Sequence, residues 1–198
     1  MLFIFINALQ NTSALEWACN LTSLICVILA TRNHVLTWFF GIVSCLLFTY
    51  FFMNAKLYAE AVLQLFFIAT SVWGWWHWSS QINKPAAPIQ TIPSKFILLA
   101  ILIAITTGFL YAFGLQQFTD AANPWIDSQI LTFSVLAQWW LMQRKISTWP
   151  IWLMVNTLSV PLYILREFYV SSAFYSLYWV MAIVAYLNWR KHLSAQIL

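Results

Sequence analysis

Apolar runs closed off by polar or charged positions recur seven times along the chain, at about 13–31, 37–53, 58–78, 95–115, 127–143, 149–165 and 171–189. Each approaches the roughly 20 apolar residues that a helix needs to cross a bilayer. Helix is the required conformation. In hydrocarbon every backbone N–H and C=O must be satisfied within the segment, and the runs are too long for barrel strands. One stretch between runs differs in kind: "SSQINKPAAPIQTIPSK", rich in proline and polar residues, separates the third run from the fourth and predicts a break in the architecture. The pattern predicts an all-α membrane protein of seven transmembrane helices, one domain over residues 1–198.

Composition supports lipid as the solvent. Only 7% of residues are charged and 63% are hydrophobic, against about 25% charged in soluble domains. The net charge of +4 comes from basic residues scattered singly or in pairs, which fits membrane orientation better than nucleic-acid binding. Arg32, Lys84, Lys95, Arg144, Lys145, Arg190 and Lys191 fall on one side; Lys56 and Arg166 fall on the other. The positive-inside rule makes the first side cytoplasmic, with the N-terminus outside and the C-terminus inside. Glu16, Glu60, Asp120, Asp127 and Glu167 all belong to the outer side. The opening "MLFIFINALQ" lacks a basic n-region and a small-residue cleavage site, so it reads as mature chain. Cys19, Cys26 and Cys45 form no CxxC pattern and read as small packing residues.

The stretch "SVWGWWHW" at 71–78 ends the third run at the cytoplasmic boundary. Indoles favour that depth, with the ring in the acyl boundary and the N–H in water. Trp75, Trp76 and Trp78 are therefore expected to be belt anchors, as is Trp149 near its own interface, with Trp73 deeper.

A shift of 111 residues without gaps lays Trp78 on Trp189, Tyr58 on Tyr169, and Thr37-Trp38 on Thr148-Trp149. Leu47 meets Leu158, Ser23 meets Ser134, and Glu16 meets Asp127. Identities are few, but the helix ends agree throughout. Three spans, a lone linker span and three more are expected, in a 3+1+3 arrangement: repeat one about 13–79, linker helix about 95–115, repeat two about 127–190. An offset of four spans makes the three-helix repeats parallel, an arrangement of transporters that bind substrate between halves near the midplane.

The segments "TWFFGIVSCLLFTYFFMNAKLYAEAVLQLFFIATSVWGWWHW" and "DSQILTFSVLAQWWLMQRKISTWPIWLMVNTLSVPLYI", the latter with a W-x-x-W-x-x-x-N pattern, resemble the PnuC-type nicotinamide riboside transporters and their vitamin-transporting relatives. The resemblance covers nearly the whole chain. It implies a fold similar to that of the SWEET sugar transporters. It also implies facilitated uptake of a vitamin precursor across the inner membrane, feeding pyridine nucleotide synthesis, with a separate cytoplasmic kinase trapping the substrate. Thiamine and riboflavin carriers share the scaffold and stay as alternatives.

An asymmetric ligand requires asymmetric halves. Gly41 corresponds to Trp152, Cys45 to Asn156, Val27 to Gln138, and Gln64 to Tyr175. Trp149, Trp152 and Asn156 share one helical face at i, i+3 and i+7. Pro161 follows as a candidate hinge, because it removes one backbone hydrogen bond. Gln64 and Gln138 are mid-span amides, costly in hydrocarbon unless they face the bundle interior. Tyr175 and Trp179, one turn apart, are candidates for an aromatic wall. Such a wall suits nicotinamide riboside, whose pyridinium is a permanent cation; thiamine is also cationic. The candidate substrate-binding set is thus Gln64, Gln138, Trp152, Asn156, Tyr175 and Trp179. Interhelical hydrogen bonding or plain packing would use the same residue types.

His34, His77 and His192 lie at span ends, and no HExxH, Walker A or GxSxG occurs. No metal, cofactor or catalytic residue is expected. A non-transporting membrane assembly subunit is the alternative from another class. Oligomeric state stays open, a homo-oligomer included.

Overall fold

The computed structural model describes residues 12–54, 58–80, 88–118 and 124–197. They form seven helices: α1 (Ala14–Thr31), α2 (Leu36–Asn54), α3 (Tyr58–Ser79), α4 (Ser94–Phe118), α5 (Pro124–Met142), α6 (Thr148–Leu165) and α7 (Tyr169–Ile197). Lys56, Lys84, Asp120 and the opening decapeptide lie outside the described residues, so their side assignments remain readings of the sequence.

The apolar runs become helices with ends within a few residues of those expected, except that α7 continues well past 189. At 29 residues it is about 44 Å long, more than the roughly 30 Å of hydrocarbon. Its Arg190, Lys191 and His192 therefore extend beyond one face. Among the described residues, five helices are long and apolar enough to cross a membrane: α1, α2, α4, α6 and α7. Helix α5 is less apolar because it carries Asp127, Ser128, Gln129, Thr132, Ser134 and Gln138. It is also the most enclosed helix, packing on α3, α4 and α6, so its polar groups meet protein rather than lipid. Helix α3 is diluted by Gln64, Thr70, Ser71, His77 and its tryptophans.

The helix contacts form a closed circuit. In order, α1 packs on α2, α2 on α3, α3 on α5, α5 on α6, α6 on α7, and α7 on α1; α4 packs on α5 from outside. Helix α4 seats Ala104, Gly108 and Ala112 against the bundle. The Gln129 amide lies against the bare face of Gly108, where a Cβ would fall 2.5 Å from it and the flexible side chain would have to move.

The turns after α1 and α5 are built alike. Asn33 and Arg144 both take the left-handed conformation at φ 53°. The Asn33 N–H donates to the Ala30 carbonyl and the His34 N–H to the Leu29 carbonyl; at the second turn the Arg144 N–H donates to Leu141 and the Lys145 N–H to Trp140. This is the 6→1 and 5→2 pairing that satisfies carbonyls at a helix end. Asparagine tolerates that conformation readily; arginine there is uncommon. The following helix is tied back the same way in both places. The Thr37 hydroxyl donates to the Cys26 carbonyl at 2.8 Å, and the Thr148 hydroxyl to the Ala137 carbonyl at 2.8 Å. All these pairs are 111 positions apart.

The end of the proline-rich linker docks on the second turn. The Gln90 N–H donates to the Arg144 carbonyl, the Ile146 N–H donates to the Gln90 carbonyl, and Lys145 Nζ donates to Gln90 Oε1. Ile89 is buried among Trp38, Trp78, Trp149 and Trp189, the aromatic core at the basic end of the bundle. A second core joins α4, α5 and α6 through Ala104, Phe133, Ala137, Trp140, Ile151 and Val155.

This aromatic core corrects the belt assignment for Trp78 and Trp149. Trp78 is fully buried and Trp149 nearly so. Trp78 donates its indole N–H to the Met142 carbonyl at 2.9 Å, not to water, and Arg144 lies over its ring at 4.2 Å. Burial lowers the Arg144 pKa from its ordinary value to about 10, which leaves the guanidinium charged at neutral pH. Trp75 packs against the same core, whereas Trp76 is 69% exposed, as an interfacial anchor is. Four indoles within six positions of a helix must spread around its axis, so some face protein and some face lipid.

Candidate functional site

The inward faces of α5, α6 and α7 carry most of the polar and aromatic groups. On α6, Trp152, Asn156, Ser159 and Tyr163 follow the spacing that stacks side chains on one helical face. Asn156 is 4% exposed and Ser159 is buried; Trp152 is half-buried and touches both apolar cores. On α5, Ser134 and Gln138 lie one turn apart and both are buried, Gln138 with 9% exposure. Among the described residues neither the Gln138 nor the Asn156 amide forms a hydrogen bond within the chain. Two amides at this depth, without protein partners, retain donors and acceptors for a bound molecule or water.

Tyr175 of α7 closes the opposite end of this face. Its ring lies 4.8 Å from that of Tyr163 and 5.6 Å from that of Tyr178, and the Tyr163 and Tyr175 hydroxyls are 3.5 Å apart. Tyr178 reaches α1, donating to the Asn20 carbonyl at 3.3 Å. Above Tyr163, towards the acidic end, Arg166 forms an ion pair with Asp127.

Of the residues singled out by sequence, Gln138, Trp152, Asn156 and Tyr175 are brought onto this inward surface. Gln64 is half-buried on α3, on the face of buried Ser71, seven residues on. Trp179 is set apart from Tyr175. It is 38% exposed, and its indole N–H donates at 3.0 Å to the hydroxyl of Thr157, an exposed α6 position about 100° around the helix from Asn156. Helix α6 continues through Pro161 to Leu165. Tyr163, Ser159 and Asn20 were not anticipated. Extending the Trp152–Asn156 face by three and seven residues would have found Ser159 and Tyr163; Asn20 carried no such signal.

A shallow cleft lies between α3 and α5, lined by Trp73, His77, Trp139, Met142 and Gln143. Trp73 and Trp139 are about half-exposed there with rings 5.2 Å apart. It lies on the outer seam, with Trp139 and Met142 following Gln138 along α5 by one and four residues.

The family model for the nicotinamide mononucleotide transporter matches residues 13–191. The chain belongs to this family. The family is one of transporters and not of enzymes, and this is a multi-pass membrane protein that carries a small molecule. The chain is similar to the nicotinamide riboside transporter PnuC of Escherichia coli (strain K12), at 25% identity over 191 residues, covering 83% of this chain and 80% of the relative. It is 23% identical over 183 residues to the nicotinamide riboside transporter PnuC of Neisseria mucosa, covering 86% and 69% of the two chains. Among solved structures, the crystal structure of the vitamin B3 transporter PnuC superposes with a TM-score of 0.77 at 20% identity, over 98% of this chain and 90% of that one. At that identity the superposition supports the fold.

Proposed function

We propose that this chain is a uniporter for nicotinamide riboside, taking it into the cell to feed pyridine nucleotide synthesis. The observation that carries the reading is the pair of buried, unpartnered amides, Gln138 and Asn156, on a surface that also presents Trp152 and Tyr175. The amides match the carboxamide and ribose hydroxyls of the ligand, and the aromatic faces match its cationic ring. The family and the names of the relatives point to the same substrate. Gln64, in the position equivalent to Tyr175, completes the proposed set.

The proposed arrangement is two parallel three-helix repeats, α1–α3 and α5–α7, joined by α4. The matched turns 111 residues apart and the closed circuit of contacts support it. With the basic end cytoplasmic, the N-terminus is outside and the C-terminus inside. No described span centre carries an Asp, Glu, His, Lys or Arg, so rocking of the halves about the site is driven by the substrate gradient alone, with Pro161 as the proposed hinge. A cytoplasmic kinase would make uptake accumulative.

Calorimetry on the purified full chain, with nicotinamide riboside, thiamine and riboflavin in turn, tests the reading. Saturable binding of nicotinamide riboside in preference to the other two is expected. Preference for thiamine or riboflavin would move the protein to another substrate on the same scaffold. Binding of none, with no uptake into liposomes, would favour an assembly subunit.

A further inference from the structure

We infer that Glu16 is a charge-selecting residue at the outer entrance, the point at which a cationic ligand is distinguished from an uncharged one of the same shape. The inference rests on the transport reading and its orientation, and adds a residue to the site.

Glu16 stands in the first turn of α1, where its backbone N–H is capped by the Ser13 hydroxyl at 3.1 Å. The spacing Ser13-x-x-Glu16 is that of a capping box, in which the glutamate side chain reaches back to the N-cap N–H. Here the carboxylate instead interacts with Ser171 on α7, the neighbouring helix of the circuit. Four residues further along α7 is Tyr175, and on α1 the next inward turn is Asn20, which accepts from Tyr178. Glu16 therefore sits one turn outward of the aromatic surface that leads to Asn156. Trp17 and Phe174, in edge contact with centroids 6.1 Å apart, flank the same α1–α7 seam.

The second half makes the point sharper. Asp127 occupies the equivalent position in α5, 111 residues on, and its charge is compensated by Arg166. Among the described residues no Lys or Arg pairs with Glu16. Of two matched carboxylates at the acidic end, one is neutralised within the protein and the other keeps its charge for a ligand. A half-buried carboxylate beside an approach path attracts cations and raises their local concentration.

The test uses a matched pair: nicotinamide riboside, a cation, and its 1,4-dihydro form, nearly the same shape but uncharged. Binding of both to the full chain is measured for the wild type, Glu16→Gln and Glu16→Asp. Glu16→Gln is expected to weaken the cation about fivefold and leave the dihydro form within twofold, with Glu16→Asp retaining the preference. Equal weakening of both ligands, or of neither, would overturn the inference while leaving the transport reading intact. Failure of the wild type to bind either ligand would remove both. Should the variants fold poorly, salt dependence in the wild type decides. Initial uptake of the cation should fall with ionic strength while that of the dihydro form stays level; no difference between them overturns the inference.

Discussion

Trp78 and Trp189, 111 positions apart in sequence, meet with ring centroids 6.4 Å apart at the basic end of the bundle. Each crosses to the opposite set of helices to donate its indole N–H, Trp78 to the Met142 carbonyl and Trp189 to the Ala30 carbonyl at 3.2 Å. Each also receives the edge of a second indole, Trp38 at 5.2 Å and Trp149 at 5.4 Å. The carbonyls belong to the last turns of α5 and α1, where intrahelical partners run out. The Trp78 indole thus supplies the Met142 carbonyl with its donor, whereas the Trp189 indole adds a second donor to an Ala30 carbonyl that already accepts from the Asn33 N–H.

Trp78→Phe should destabilise the protein by about 1–3 kcal/mol, because the buried Met142 carbonyl is left without its donor, and Trp189→Phe by about 0.5–1.5 kcal/mol, because the Ala30 carbonyl keeps the Asn33 N–H. Trp76→Ala, at a lipid-facing position, should change stability by no more than about 0.5 kcal/mol. Melting in detergent measures all three. A larger effect at Trp76 than at Trp78 would reverse the assignment of core and belt.

Glycine permits the close approach of α2 and α3 at this core. A Cβ on Gly74 would lie 2.7 Å from the Trp38 indole, whereas one on Gly114 would meet nothing within 4 Å. Gly74→Ala should therefore cost about 1–3 kcal/mol through displacement of Trp38. Gly114→Ala should be neutral or stabilising, by up to about 1 kcal/mol, through helix propensity. Equal melting temperatures for the two variants would contradict this packing.

Trp152→Ala and Asn156→Ala should each weaken nicotinamide riboside binding by at least about tenfold, or about 1.4 kcal/mol, with the fold retained. Trp179→Phe, which removes only the bond to Thr157, should leave affinity within about twofold. Calorimetry on the three variants decides. A tenfold loss at Trp179 would return that residue to the aromatic wall.

Transport without ion coupling makes a clear demand. In liposomes holding only this protein, with the membrane voltage clamped because the ligand is a cation, uptake should stop when inside and outside concentrations match. A pH or sodium gradient should not raise the plateau. Uphill accumulation under either gradient would disprove uniport.

Orientation is checked from both ends of the chain. A C-terminal fluorescent reporter that matures only in cytoplasm should glow, and a cysteine in place of Asp120 should react with an impermeant label added outside. Reaction of that cysteine only from within would invert the topology.

Hydrophobic periodicity determined the helices, because in lipid a long apolar run has few alternatives to a helix that satisfies its own backbone. The 111-residue echo was also present in the sequence, since Thr37 and Thr148, or Trp38 and Trp149, do the same work at the same distance from a helix end. Gln64 and Gln138 could be singled out as mid-span amides because polarity there is costly, and Asn156 by the helical face it shares with Trp152. What the sequence left open was direction around each helix axis. Trp75, Trp76 and Trp78 are alike in composition and depth, yet one packs on the core, one faces lipid and one is sealed at the centre. Tyr175 and Trp179 lie one turn apart, yet one meets Tyr163 on the inward surface and the other bonds Thr157 away from it. Only the tertiary structure decided these cases, because a few tens of degrees of helix rotation, fixed by how each helix packs on its neighbours, choose between lipid, core and site.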